Sequence, residues 1–438
     1  MHCFSPKLIR GMMFLRVYIE TYGCWLNKAD SDAVASMLKE NGHEIVHDIE
    51  HADAIIINTC AVRSETERKI AKRLQELESW RRENENRKII VLGCLARARP
   101  AFIAHNSPSA SIIGPNALPS ILKALESRII DIGPERREIF KLPRCNKSKR
   151  LTIPIATGCL GSCSYCIMPI SRGKLSSCPP KQIVELFRDA VTRGVKEIYL
   201  VAQDLAAYGL DIGYNLPRLL QNLLEHEGDY MIRLGMMEPS TLTSIASDMI
   251  KIYSNPHIYK YLHLPLQSGS DRILELMNRK YTASSFIKLV DFFRSSIDDL
   301  FLATDVIVGF PTETDEDFEE TCKVIEKISP DKVHVARYAM RPFTQASSMP
   351  QLSDGVKKAR SRILNEIVKE ITLKRNLRYV GKEVDVLLTD VAPKGGLSGR
   401  MMNYRPVIVR CDDKSMLWKM VTVLIEGAEP HVLIGRTV

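Results

Sequence analysis

Two sets of three cysteines are the residues of this 438-residue chain whose type and spacing can do chemistry. The tighter set stands in Thr157-Gly158-Cys159-Leu160-Gly161-Ser162-Cys163-Ser164-Tyr165-Cys166, a C-x3-C-x2-C pattern in a glycine- and serine-rich loop. Three thiolates so close together can hold three corners of a [4Fe–4S] cube, which leaves one iron open to a small chelating molecule. A zinc knot is the bland alternative. Zinc takes a fourth Cys or His nearby, and none follows until Cys178, twelve residues on.

The wider set is Cys24, Cys60 and Cys94, spaced by 36 and 34 residues, each just past a strand-like run and beside glycine or other small residues. The carboxyl edge of an open parallel sheet is where such sheets hold ligands, so three thiols at equivalent strand ends converge on one crevice. A single buried cysteine is commonly a small hydrophobe. Three in register point to a second three-ligand cluster. The other five, Cys3, Cys145, Cys178, Cys322 and Cys411, occupy no such edges.

The elements that must position these thiols are legible as three segments. Over 14–137, strand signals at 14–20, 54–58 and 88–92 alternate with helical patterns at 28–40, 64–82 and 118–127, which predicts a parallel-sheet α/β domain. A basic linker follows at 136–150. Over 151–345 strand-then-helix repeats six times, with strands at 153–156, 197–201, 231–236, 261–264, 302–308 and 333–338, which predicts a partial (β/α)6 barrel, with a doubly wound open sheet as the competing arrangement. A basic helix at 356–378 then leads to short strands and glycine turns over 379–438, expected to close into a small antiparallel barrel. The fold class is therefore α/β with a C-terminal β-barrel.

Composition sets the outer limits. Apolar residues make up 45% and charged residues 26%, a globular profile. No run of eighteen apolar residues suggests a membrane span, and no apolar signal core stands at the start. Translation could equally begin at Met12 or Met13. Eleven cysteines without a secretion signal fit reduced thiols in a cytoplasm rather than a disulfide framework. The net charge of +9 suits a polyanionic partner without requiring one. No phosphate loop, Ser/His/Asp triad or H-E-x-x-H motif competes for the chemistry.

With Tyr165 before its last cysteine, the C-x3-C-x2-C loop resembles the radical S-adenosylmethionine superfamily. That likeness implies that Cys159, Cys163 and Cys166 hold a cluster whose open iron binds S-adenosylmethionine, cleaved by one electron to a 5′-deoxyadenosyl radical. Tyr22-Gly23-Cys24 with Asn27, Asn58-Thr59-Cys60-Ala61-Val62-Arg63 with Thr66-Glu67, and Gly93-Cys94-Leu95-Ala96 resemble the N-terminal domain of methylthiotransferases. By that resemblance Cys24, Cys60 and Cys94 bind a second [4Fe–4S] cluster that carries the sulfur to be inserted. His263-Leu264-Pro265-Leu266-Gln267-Ser268-Gly269-Ser270 and Thr304-Asp305 through Glu313-Thr314 are similar to further family segments. Gln203, Arg233, Gln267 and Asp305 are accordingly candidates for the S-adenosylmethionine pocket, with Tyr165 near the adenine. Where much of the superfamily has Gly-Gly-Glu, this chain has Ala202-Gln203-Asp204.

The last segment resembles the TRAM domain of RNA-modifying enzymes, and small basic barrels commonly bind nucleic acid. The expected substrate is tRNA, through its anticodon stem-loop, with an external electron donor and a sulfur donor. Ser171-Arg172-Gly173-Lys174-Leu175-Ser176-Ser177 and the Ala207–Gly213 region lean to the branch acting on N6-threonylcarbamoyladenosine at position 37. Isopentenyladenosine and a ribosomal-protein aspartate are the other substrates of the family. An iron–sulfur RNA-binding or electron-transfer protein without turnover is the reading from another class.

Overall fold

The structure is a computed structural model that describes residues 14–62, 64–144 and 148–438. Cys3, Met12, Met13, Arg63 and residues 145–147 of the 136–150 linker, Cys145 among them, lie outside the described residues. The chain forms two compact units, the first taking in the chain to Arg144 together with Ile170–Arg172, the second the remainder.

The first unit is a six-stranded, all-parallel sheet: β1 (Arg16–Thr21), β2 (Glu44–Val46), β3 (Ala54–Thr59), β4 (Lys88–Gly93), β5 (Ser111–Ile113) and β6 (Ile130–Asp131), in the order β2-β1-β3-β4-β5-β6. β3 reads Ala-Ile-Ile-Ile-Asn-Thr and is buried throughout, as a strand covered on both faces must be. Its core is built from Val17, Val34, Leu38, Ile56, Ile90, Leu92 and Ile113. β2, β5 and β6 add to the three strands expected, and at two or three residues each they are too short to show a hydrophobic period. The order reverses between β1 and β3, the switch point where such sheets open a crevice at their carboxyl edge. From β1 the chain enters α1 (Trp25–Glu40), from β3 α2 (Ser64–Arg82), and from β4 the single turn α3 (Cys94–Ala98).

The second unit begins with β7 (Arg150–Pro154). β8 (Ala156–Thr157) pairs antiparallel with β9 (Ser176–Ser177) and clasps the cysteine loop between them. A side chain at Gly158, where φ is +77°, would stand 2.1 Å from the Lys174 carbonyl oxygen, so this clasp closes only on glycine. β10 (Glu197–Val201), β11 (Met231–Leu234), β12 (Tyr261–His263), β13 (Phe301–Val308) and β14 (Lys332–Arg337) complete six parallel strands in two groups, β11-β10-β7 and β12-β13-β14. Parallel bridges Ile232↔Ile258 and Met236↔His263 join the groups into the partial barrel expected from six strand–helix repeats.

β15 (Glu383–Val391), β16 (Leu397–Met401), β17 (Pro406–Val409), β18 (Met420–Glu429) and β19 (Val432–Thr437) close into a barrel in the order β15-β16-β17-β19-β18. Every pair is antiparallel except β17 with β19. It docks where the larger barrel's strands begin: Lys260 donates its backbone N–H to Met402 (2.9 Å), and the Tyr199 and Tyr404 hydroxyls meet at 2.8 Å. The cysteine loop follows the other end of β7, so the small barrel leaves that mouth uncovered.

The helix Asp354–Leu377 carries the expected basic charge, but part of it faces inward. Arg360, buried, donates to the Glu313 carboxylate (2.6 Å), and Arg375 pairs with Asp331. Asp331 also receives Arg405 of the small barrel, which is only 2% exposed. Removing one partner of a buried ion pair typically costs about 3–5 kcal/mol. Arg405→Ala should therefore lose hydrogen-exchange protection across β15–β19 by that order; protection equal to wild type would contradict this account of the docking.

Candidate functional site

In the second unit the cysteine loop is fixed from several sides. Ser164 donates its backbone N–H to Met277 (3.1 Å) and its hydroxyl to Leu276 (2.7 Å), while Asn278 donates to the Ser162 carbonyl (2.9 Å). The sulfurs receive N–H groups: Gly161 to Cys159 at 3.2 Å, Met168 to Cys166 at 3.4 Å, and the Arg279 guanidinium to Cys163 at 3.2 Å. Burial pushes the Cys159 thiol up to about 11 and the Cys166 thiol up to about 12. A Cβ at Gly161 would stand 3.3 Å from the Cys159 sulfur and 3.8 Å from that of Cys163, so the missing side chain keeps the concavity open.

The strand ends around this mouth carry polar groups without partners. The Gln203 and Gln267 amide oxygens are buried and accept no hydrogen bond among the described residues. Leaving such an acceptor unmet costs about 1–3 kcal/mol, and Gln267 also holds a left-handed backbone at φ +65°. Its main chain is locked onto β13 by bonds to Asp305 (2.8 Å) and Ile307 (2.9 Å). Tyr165 packs edge-on to Phe310 at 6.4 Å, beside Ile273 and Met277. Arg279 pairs with Glu238 at 3.1 Å, and Glu238 caps the helix Pro239–Thr243. Burial raises the Asp204 carboxyl to about 6 against the bonds it accepts from Glu238, Thr241 and Ala206.

Not every expected residue lies at this mouth. Asp305 joins His263 (2.8 Å) and His334 on adjacent strands, their donor atoms all within 4.8 Å. Arg233 lies over the Tyr199, Tyr261 and Tyr404 rings at 5.5, 4.6 and 5.1 Å, a cationic plug between the large barrel and the small one. No contact of its guanidinium with the cysteine loop is seen among the described residues.

In the first unit the three strand ends converge as the sequence predicts. Cys24 is the residue before α1, Cys60 follows β3 and Cys94 opens α3. Asn27 stitches them together, donating to the carbonyls of Tyr22 (3.1 Å) and Thr59 (2.9 Å) and to the Asn58 side chain (3.1 Å). Its own amide oxygen lies 3.5 Å from the Cys24 sulfur and 3.9 Å from that of Cys94. Gly93, at φ +106°, leaves no room for a Cβ, which would stand 2.4 Å from the Asn58 oxygen. Cys94 is buried, and burial lifts its thiol to about 11 against the nearby Arg172 charge.

The donors present fit a cluster: each set offers three thiols, the donor set that a [4Fe–4S] cube takes while one iron stays open.

Three family models divide the chain: an uncharacterized protein family (UPF0004) over residues 16–114, the radical SAM superfamily over 153–325 and the TRAM domain over 377–438. The class is thus a radical S-adenosylmethionine enzyme, with a [4Fe–4S] cluster and S-adenosylmethionine as its working groups. A protein of Pyrococcus abyssi described as "Probable threonylcarbamoyladenosine tRNA methylthiotransferase" is 40% identical over 90% of this chain and 93% of its own length. A tRNA-2-methylthio-N(6)-dimethylallyladenosine synthase of Hydrogenobaculum is 35% identical over 96% of this chain and 99% of its own. The chain belongs to the radical S-adenosylmethionine methylthiotransferase family. Among solved structures, the radical S-adenosylmethionine methyltransferase TsrM from Kitasatospora setae shares the fold, with a TM-score of 0.58, 14% identity, and 76% of this chain and 77% of that one covered.

Sequence reasoning assigned no role to Arg172, Arg279 or Asn27. Their side chains act on sulfur, yet a lone Arg or Asn in sequence looks like any surface residue until burial is known. Gln267→Ala, which removes the unmet acceptor, is expected to weaken S-adenosylmethionine binding at least tenfold at unchanged iron content. Equilibrium dialysis of the reconstituted protein checks this, and unaltered affinity would contradict the assignment.

Proposed function

We propose that this protein is a tRNA methylthiotransferase that adds a methylthio group to C2 of N6-threonylcarbamoyladenosine at position 37, using two [4Fe–4S] clusters. The observation that carries the reading is the pair of cysteine trios, each at the carboxyl edge of a parallel sheet and each with N–H donors or amide groups turned on its sulfurs. In this reading Cys159, Cys163 and Cys166 hold the cluster that binds S-adenosylmethionine, and Cys24, Cys60 and Cys94 hold the second. Bound there, S-adenosylmethionine supplies a carbon radical and a methyl group. Gln203 and Gln267 orient that ligand through their unmet amide oxygens, and Tyr165 with Phe310 walls the pocket against water. Asp305, with His263, is a candidate for its outer wall, and Arg233 serves the junction with the small barrel.

The domain assignment follows: 14–137 for the second cluster, 151–345 for radical chemistry, 356–378 as the connecting helix and 379–438 for RNA. Lys394, Lys414 and Lys419 on the small barrel are exposed, where they can track phosphates of an anticodon stem-loop. The threonyl carboxylate of the modified base is anionic, which suits a chain of net charge +9. Electrons and sulfur come from outside donors. No helix among the described residues is long and apolar enough to cross a membrane, which accords with work in the cytoplasm.

Mass spectrometry of tRNA nucleosides after deletion of the gene tests the reading. Methylthio-threonylcarbamoyladenosine should vanish while the unmethylthiolated nucleoside accumulates. An unchanged methylthioadenosine profile would contradict it, and loss of the isopentenyl derivative instead would move the assignment to that substrate.

A further inference from the structure

Four residues past Cys166, the segment Ile170–Arg172 belongs to the first unit rather than to the barrel whose sequence surrounds it. Its backbone is fastened there: Arg97 donates to the Ile170 carbonyl (3.1 Å) and Asn116 to that of Arg172 (3.0 Å). The Arg172 side chain is fully buried, with no exposed area. Its guanidinium donates through Nε to the Cys94 sulfur (3.2 Å), through Nη2 to the Asn27 amide oxygen (3.0 Å), and through Nη1 to Asp30 (2.6 Å).

Burying an arginine is expensive unless each N–H is met and the charge is answered. Asp30 answers only part of it, because the same carboxylate also receives Arg137 at 3.0 Å. No other carboxylate meets Arg172 among the described residues. The remaining positive charge is turned on a thiol that burial disfavours as a thiolate. Three thiolates on a dicationic cube leave about one negative charge, and each added electron leaves one more. A fixed cation in a dry site stabilises the reduced form over the oxidised one and lifts the reduction potential.

We propose that Arg172 is a positioning residue of the first-unit cluster: its guanidinium holds the Cys94 thiolate in ligating geometry and raises the cluster's reduction potential. The proposal rests on the reading that Cys24, Cys60 and Cys94 carry a cluster.

The test uses the full chain with Cys159, Cys163 and Cys166 all changed to Ala, so that the first-unit cluster is observed alone. After anaerobic reconstitution, iron content and a dithionite redox titration followed by electron paramagnetic resonance are compared with and without Arg172→Gln. The expected result is a midpoint lowered by the equivalent of a tenfold change in the reduction equilibrium, about 59 mV for one electron. A loaded Arg172→Gln protein with an unshifted midpoint overturns the proposal. If Arg172→Gln fails to load, Asp30→Asn decides: removal of the shared anion must raise the midpoint, and an unchanged or lowered value overturns the proposal. Absence of iron in the background with Arg172 intact would instead sink the cluster reading itself.

Discussion

A thiol ligates metal only as a thiolate, and burial works against that charge. Cys94, Cys159 and Cys166 all have their thiols pushed up to about 11 or 12 by the dry surroundings that a cluster requires. The protein meets this conflict by surrounding the sulfurs with donors: backbone N–H groups at Cys159 and Cys166, and guanidiniums at Cys163 and Cys94. Bound iron would supply the positive charge that those donors do not. Glycines at 23, 93, 158 and 161 let the backbone crowd in without filling the space. Much of the local architecture in both units answers to this one electrostatic constraint.

The two units solve it differently. In the first, distant strand ends deliver one cysteine each, and Asn27 ties the three loops so that separate elements act as one cradle. In the second, all three cysteines come from one loop, clasped by β8 and β9 and braced by the segment 276–279. The first arrangement depends on tertiary packing and so tolerates little change at Asn27, Asn58 or Gly93. The second is nearly local, and its precision comes from the neighbours that hold it. The closed barrel meets the larger one at the opposite end of the strands from the cysteine loop.

How much of this was legible in the sequence follows from how local each signal is. The C-x3-C-x2-C loop, the six strand–helix repeats and the terminal barrel stand in short windows with strong periodicity, and the structure carries all three. Strands β2, β5 and β6 did not show, because two or three residues cannot establish a period. Arg172 was visible as a letter in a motif, but its burial against Cys94 depends on a contact 78 residues away in the chain. The helix at 356–378 was legible as basic, but not that Arg360 and Arg375 spend their charge on Glu313 and Asp331. Arg233 shows the same limit: a strand position predicts which face of the sheet a residue shares, not which end of the barrel its long side chain reaches.

The central claim is that each cysteine trio holds its own cube. Iron and sulfide analysis with Mössbauer spectroscopy on the anaerobically reconstituted chain tests it most directly. The account predicts about eight irons per wild-type chain, and about four after either trio alone is changed to alanine. A wild-type chain holding no more than about four irons, or a trio variant that keeps all eight, would contradict it.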